Sequence, residues 1–282
     1  MIFYESDIEE LTMTWLRDKC GYAIAYGPDL LEGSRPERGF SDVVLKDRLR
    51  AAIDRLNPHI PGIAREEAFK IVLRSQAQTL IDNNETFHRL LTEGVDVKFG
   101  IGEGKSRTDK VWLVDFEHPE SRDNEYLAVN QFTVVENNIN KRPDIVLFIN
   151  GLPLVVIELK NPADEQANVQ AAFHQLQTFN HVIPSLFSYN AFEVISDGWF
   201  AKAGTISSDY SRFMEWKSVD GEHVLDSKLQ PELETLVTGL LNKRTLLDII
   251  RYFIVFEKNR EKTIKKMAAY HQYFAVNKAI AS

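Results

Sequence analysis

Cysteine is almost missing from this chain. Cys20 stands alone among 282 residues, so no disulfide can form within the chain and a disulfide-stapled scaffold is excluded. A basic excess is missing as well: 41 acidic residues against 33 basic ones give a net charge of -8. That balance argues against a free-standing duplex binder, because neutralisation of phosphates by Lys and Arg dominates most nucleic-acid affinity. If this chain acts on DNA, something else holds the DNA. No stretch approaches the roughly 18 uninterrupted apolar residues of a membrane span. The opening Met1-Ile2-Phe3-Tyr4-Glu5-Ser6-Asp7 lacks the basic flank and apolar core of a secretory signal. A soluble protein of the reducing cytoplasm, with no membrane partner, is expected. Repeats and low-complexity tracts are absent, the seven histidines form no close-spaced ligand pattern, and no Ser-His-Asp arrangement is visible. What is present is an ordinary globular balance, 44% apolar and 26% charged, enough for one large core or two modest ones.

Helical and strand periodicities alternate along the chain. Residues 7 to 19 place Ile8, Leu11, Trp15 and Leu16 on one helical face, with Ser6 or Asp7 as cap and Gly21 past the end. Residues 27 to 41, rich in Gly, Pro and charge, read as a surface loop. Two helices are expected from Arg65 to Gly94, the first with Phe69, Val72, Leu73 and Leu80 inward, the second capped by Asn83 or Asn84. Strands follow at Val95 to Phe99, Val111 to Phe116, Leu127 to Val135, a hairpin from Asp144 to Lys160, and Phe192 to Ser196. A helix begins after Asn161-Pro162 and runs to about Phe179. Beyond Asp220 the pattern turns helical, with segments at Leu233 to Leu240, Leu246 to Phe256 and Lys258 to Ala281. The fold class is therefore α/β, a mixed β-sheet flanked by helices with a helical C-terminal segment, and a soft boundary falls near residue 250.

The most informative feature is Lys141-Arg142-Pro143-Asp144, then thirteen residues, then Glu158-Leu159-Lys160. Asn150-Gly151 between them is a strong hairpin signal, so two carboxylates and an ammonium gather at one end of an apolar hairpin. Hydrolysing a phosphodiester needs a divalent cation to neutralise developing charge and to acidify the attacking water. Asp144 and Glu158 are the candidate metal ligands. Two carboxylates about 4 Å apart repel by roughly 4 kcal/mol at an effective dielectric of 20, a conflict that a cation removes. Mg²⁺ takes one or two carboxylates plus waters and phosphates, which suits this set better than Zn²⁺. Glu158 and Lys160, two apart on a strand, share a face, so the ammonium would sit beside the reacting water or phosphate.

Register tests the idea. A two-residue loop with an unbroken ladder pairs Asp144 with Ile157 and puts the carboxylates on opposite faces. An irregularity, which Pro153 favours by lacking an N–H, pairs Asp144 with Glu158 instead, and that irregularity is predicted. The plainer reading is that both acids sit on a wet strand rim with Lys160 as their salt-bridge partner.

Arg142 to Lys160 resembles the PD-(D/E)xK nuclease motif, and the chain resembles the N-terminal part of the restriction (R) subunit of type I restriction-modification enzymes. The likeness includes Glu37-Arg38-Gly39-Phe40-Ser41-Asp42 continuing to Leu49, Gly94-Val95-Asp96-Val97, Asn130-Gln131-Phe132-Thr133-Val134 and Ile195-Ser196-Asp197-Gly198. It implies a restriction-endonuclease-like sheet in residues 1–250, with an N-terminal helical extension. It further implies a helical linker and the start of an ATP-dependent translocase in residues 251–282. Asp144 and Glu158 become Mg²⁺ ligands and Lys160 the catalytic lysine of a DNA endonuclease without intrinsic sequence preference. Double-stranded DNA and the methyltransferase and specificity subunits become the partners. Gln175-Leu176-Gln177-Thr178-Phe179 falls where related nucleases carry Gln-x-x-x-Tyr; Phe179 lacks the hydroxyl, so Gln175 alone carries over, as a DNA contact or a support for the site. Such sites are often completed by an acid from an upstream helix, for which Glu66 and Glu67 are candidates. Tyr270-His271-Gln272 resembles the adenine-reading segment of such translocases, yet no phosphate-binding loop follows; the chain reads as part of a longer subunit, and ATP belongs only to the full-length protein. Gly100 to Ser106 is a decoy for that loop, since Phe99 occupies the place of its first glycine and a strand follows. The alternative function is an interaction module that docks the motor or the methyltransferase core and cuts little itself.

Overall fold

The computed structural model describes residues 4–34, 36–74, 77–102, 104–161, 168–228, 230–259 and 262–281. In chain order the first elements are α1 (Glu5–Asp18), β1 (Ala23–Tyr26), α2 (Lys46–Leu56), α3 (Gly62–Val72), α4 (Leu80–Glu93), β2 (Val95–Gly102) and β3 (Lys105–Val111). Then come β4 (Tyr126–Asn130), β5 (Val134–Glu136), β6 (Ile139–Lys141), β7 (Ile145–Ile149), β8 (Leu152–Leu159), α5 (Val169–Val182) and α6 (Pro184–Phe187). The last are β9 (Phe192–Ser196), β10 (Ala201–Gly204), β11 (Met214–Glu215), α7 (Glu232–Leu240), α8 (Lys243–Tyr252), β12 (Ile254–Lys258), β13 (Thr263–Met267) and α9 (Tyr270–Ala281). Among the described residues no helix is long and apolar enough to cross a membrane.

Seven strands form one mixed sheet in the order β1-β4-β7-β8-β9-β10-β11, flanked by helices. β8 is antiparallel to β7 and parallel to β9. Every residue of β7 and β8 is buried, as near-continuous apolar strands covered on both faces should be. α5 packs on β8 and β9, and α1 packs on β4 and β8.

The β7–β8 turn is held by its own chemistry. Asn150 and Gly151 have φ of 53° and 79°, the left-handed pair that a two-residue turn requires. A side chain on Gly151 would place its Cβ 2.4 Å from the Leu45 carbonyl oxygen, so only glycine fits. The buried Asn150 amide donates to Leu113 O and accepts from Glu125 N. Beyond the turn Phe148 pairs with Pro153 but Leu147 with Val155, so Leu154 is extra: a bulge, as the Pro153 argument predicts. The Leu154 carbonyl accepts from Ala191 N at the start of β9.

Several local expectations change. α1 starts earlier, with Asp7 accepting from Tyr4 N, and its buried stripe is Ile8, Thr12, Met13 and Leu16, leaving Leu11 exposed. The 27–41 segment contains a 3₁₀ turn at Gly27–Leu31 and buries Arg38. α4 is capped by Thr79 and already contains Leu80; Asn84 spends its amide on the carbonyls of Phe187 and Asn190 instead. The strand expected at Val111 to Phe116 does not form: β3 ends at Val111, where the expected strand would begin, and the side-chain amides of Asn57 and Asn124 take over the backbone of Trp112 and Asp115. The strand expected through Val135 breaks at Gln131, whose φ is 56°. Asn168 caps α5 through the N–H groups of Gln170 and Ala171; the expected start at Pro162 lies outside the described residues. The C-terminal segment is not all helical, since β12 and β13 form a hairpin between α8 and α9.

Candidate active site

Asp144 and Glu158 are brought together by the bulge. With Ile145 opposite Ile157, the next step outward sets Asp144 across from Glu158. Asp144 is fixed at both ends, its carbonyl accepting from Gln131 N and its Oδ2 from Leu159 N at 2.7 Å. Glu158 lies between β7 and β9, opposite Ile195. Lys160 donates its backbone N–H to Ser196 O, and its Nζ lies 2.8 Å from Glu158 Oε1 and 2.7 Å from Leu159 O. The three residues singled out by spacing therefore share one site.

This site is no wet rim. Asp144 is 7% exposed and Glu158 is fully covered. Burial pushes the Asp144 carboxyl up to about 7 against the opposing pull of the Leu159 N–H and the Lys160 ammonium. Burial also raises Glu158, to about 8, and the Asp144 charge adds to the effect. For Lys160, burial pulls the ammonium down, but the charge and hydrogen bond of Glu158 outweigh it and hold the group above its ordinary value.

The surroundings add acids that spacing did not reveal. Lys160 Nζ is 3.9 Å from Glu5, and Glu9, also on α1, accepts from the side-chain amides of Asn130 and Gln131. Both carboxylates raise the Asp144 carboxyl further. Glu5 and Glu9 are like charges one helical turn apart, a pair that is unfavourable on a solvated helix, and that was the available signal. Glu66 and Glu67 do not reach the site: Glu66 pairs with Arg50 at 3.1 Å and Glu67 is exposed. Gln131 touches both sides of the site, through its backbone to Asp144 and its side chain to Glu9. Behind it the buried Arg38 guanidinium lies 3.8 Å over the Phe132 ring and donates to the carbonyls of Gly39, Phe40 and Thr133.

Gln175 does not touch these groups. It lines a cleft of about 720 Å³ with Lys141, Arg142, His174 and Thr178. Gly100 and Gly102 pair with Ser106 and Lys105 in the β2–β3 hairpin, Gly102 and Gly104 have positive φ, and a strand rather than a helix follows. Gln272 turns its side-chain oxygen back to Ala269 N at the start of α9.

The donor set fits a hard divalent cation. Glu158 Oε2 is buried without a hydrogen-bond partner, an orphaned acceptor beside a second buried carboxyl. All the available donors are oxygens, as such cations prefer. Among the described residues no group of three or more His, Cys, Asp or Glu is arranged to hold a metal.

Known proteins resemble the chain along nearly its whole length. Residues 2–212 match the family described as type I restriction enzyme R protein N terminus. The chain is 43% identical over 99% of its length to the type I restriction enzyme HindI endonuclease subunit of Haemophilus influenzae. It is 31% identical over 92% of its length to the putative type I restriction enzyme MjaIXP endonuclease subunit of Methanocaldococcus jannaschii. It spans 26% of each of these two relatives. To the type I restriction enzyme EcoprrI endonuclease subunit of Escherichia coli it is 24% identical over 83% of its length, covering 80% of that relative.

Proposed function

The chain belongs to the family of type I restriction enzyme R protein N termini, and from that premise we propose that it is a Mg²⁺-dependent DNA endonuclease region. In this reading Asp144 and Glu158 hold the metal and Lys160 acts on the reacting phosphodiester. The reading takes double-stranded DNA and the methyltransferase and specificity subunits as partners. It places the protein in the cytoplasm, and it assigns DNA delivery to an ATP-driven translocase that begins in residues 251–282.

The observation that carries the reading is the pair of buried, mutually repelling carboxyls with one orphaned oxygen. A purely structural ion pair would not bring two acids to one ammonium in a covered position. When bound, a divalent cation supplies charge neutralisation and a more acidic water. The chain's own residues prepare for it. The Leu159 N–H holds one Asp144 oxygen and leaves Oδ1 available. Glu158 keeps the Lys160 ammonium in place through Oε1 and leaves Oε2 available. That ammonium, held beside the carboxyls, is positioned to orient water or stabilise charge developing on the phosphate. Asp144 and Glu158 would be the carboxylates that hold Mg²⁺, a small protein share of the kind that ion accepts.

The test is plasmid cleavage by the full-length subunit reconstituted with its partner subunits, Mg²⁺ and ATP. Asp144→Ala, Glu158→Ala and Lys160→Ala are each expected to lower cleavage by about 10²-fold or more, with ATP hydrolysis retained. An Asp144→Ala complex that cuts as well as wild type would contradict the reading and leave the docking-module alternative.

A further inference from the structure

The cleft that takes in Gln175 opens beside the site, because Arg142 precedes Asp144 by two residues and Lys141 ends β6. One wall carries Lys141 and Arg142, and the other carries His174, Gln175 and Thr178 from α5. Among the described residues no acidic side chain lines it. In a chain of net charge -8, a concavity whose described lining carries two cations and no acid is a local reversal of the overall field. Among the described residues neither Lys141 nor Arg142 has a carboxylate within salt-bridge distance; Lys141 Nζ instead lies 6.0 Å above the Phe179 ring. Arg142 is exposed and Lys141 half-buried, so both charges are available to a ligand. Phe179, the one aromatic carbocycle among the described lining residues, is buried and offers little open face on which a base could stack.

We propose that this cleft holds the sugar–phosphate backbone of the DNA strand flanking the scissile phosphodiester, with Lys141 and Arg142 as its phosphate contacts. The proposal rests on the nuclease reading above and adds to it where the strand runs. Cations reaching phosphates, with neutral hydrogen-bonding groups opposite, position a backbone without reading its sequence. At about 720 Å³ the cleft has the size of a small-ligand site, room for a short piece of one strand and not for both. His174 and Thr178 then serve as hydrogen-bonding partners for the same backbone.

The experiment is fluorescence anisotropy of the 282-residue chain with a labelled 16-nucleotide DNA, single-stranded and duplex, in Ca²⁺, across about 50 to 200 mM salt. Wild type is expected to bind the single strand with an affinity that falls as salt rises, and the duplex only weakly. Lys141→Ala/Arg142→Ala should bind at least tenfold more weakly, and each single variant should make the log–log salt slope shallower by about 0.7 to 0.9. Arg142→Lys should recover most of the slope, which a purely structural role would not produce. Absence of wild-type binding, binding by the double variant equal to wild type, or a marked preference for RNA of the same length would overturn the proposal. Should Asp144→Asn still cut DNA in the reconstituted complex, the hydrolytic reading falls, while the cleft is judged separately by the anisotropy of the Lys141 and Arg142 variants.

Discussion

At the scale of single residues, the site is a set of ionisable groups held largely out of water. Burial lifts both Asp144 and Glu158, to about 7 and about 8, so in the metal-free protein each is protonated well above the pH at which it would ionise in an unfolded chain. These two groups therefore bind more protons in the folded than in the unfolded state between about pH 4 and 8, and the stability they contribute falls as pH rises through that window. Thermal unfolding without divalent cations should show a Tm lower at pH 8 than at pH 5, by something of the order of 5 °C for a chain of this size. Asp144→Asn and Glu158→Gln should each flatten that decline, and saturating Mg²⁺ should oppose it. A wild-type Tm that rises steadily from pH 5 to 8 would contradict this account. Much of this scale was legible in advance. Asp144, Glu158 and Lys160 declare themselves by type and spacing, whereas Glu5 and Glu9 lie more than a hundred residues away along the chain and join the site only through tertiary packing.

Elements show the same division between local and distant causes. The β7–β8 hairpin is encoded locally by Asn150, Gly151 and Pro153, and both its turn and its bulge follow from their backbone chemistry. The β12–β13 hairpin is not. Val255-Phe256-Glu257-Lys258 and Lys262 to Lys266 mix helix-forming charged residues with a short alternation, and they read as helix until their partner surface is known. That surface is a polar anchor. Lys265 on β13 is 1% exposed and donates from Nζ to Asn84 Oδ1 on α4 and to Asn190 O just before β9, each at 2.8 Å. Burial pulls this ammonium down to about 7. Its folded pKa lies below its unfolded one, so unfolding takes up a proton between about pH 7 and 10.5, and this group makes the protein more stable as pH rises there. Lys265→Ala should cost about 2 to 5 kcal/mol, through a cavity and two acceptors stripped of their donor. Urea unfolding at pH 8 and 10 checks this: wild type should gain relative to the variant at the higher pH, and equal stability of the two proteins at both would contradict it.

The whole molecule sets a chain rich in acids around a small pocket of uncompensated positive charge. The mixed sheet was legible because β7 is apolar throughout, β8 is apolar but for Glu158, and β9 carries Phe192, Val194 and Ile195; β1, β10 and β11, at four residues or fewer, were not, since strands so short carry little periodicity. The sheet brings its best-covered strands to the point where Asp144 and Glu158 meet, and α1 and β6 close around that point with acids on one side and cations on the other. The account stands or falls on whether a divalent ion occupies that meeting point. Anomalous diffraction from crystals of the 282-residue chain soaked in Mn²⁺ measures it directly. The predicted result is an anomalous peak bonded to Asp144 and Glu158 at a distance of about 2.0 to 2.6 Å, lost in Asp144→Asn crystals. Wild-type crystals soaked in the same way with no peak between those two carboxylates would contradict it.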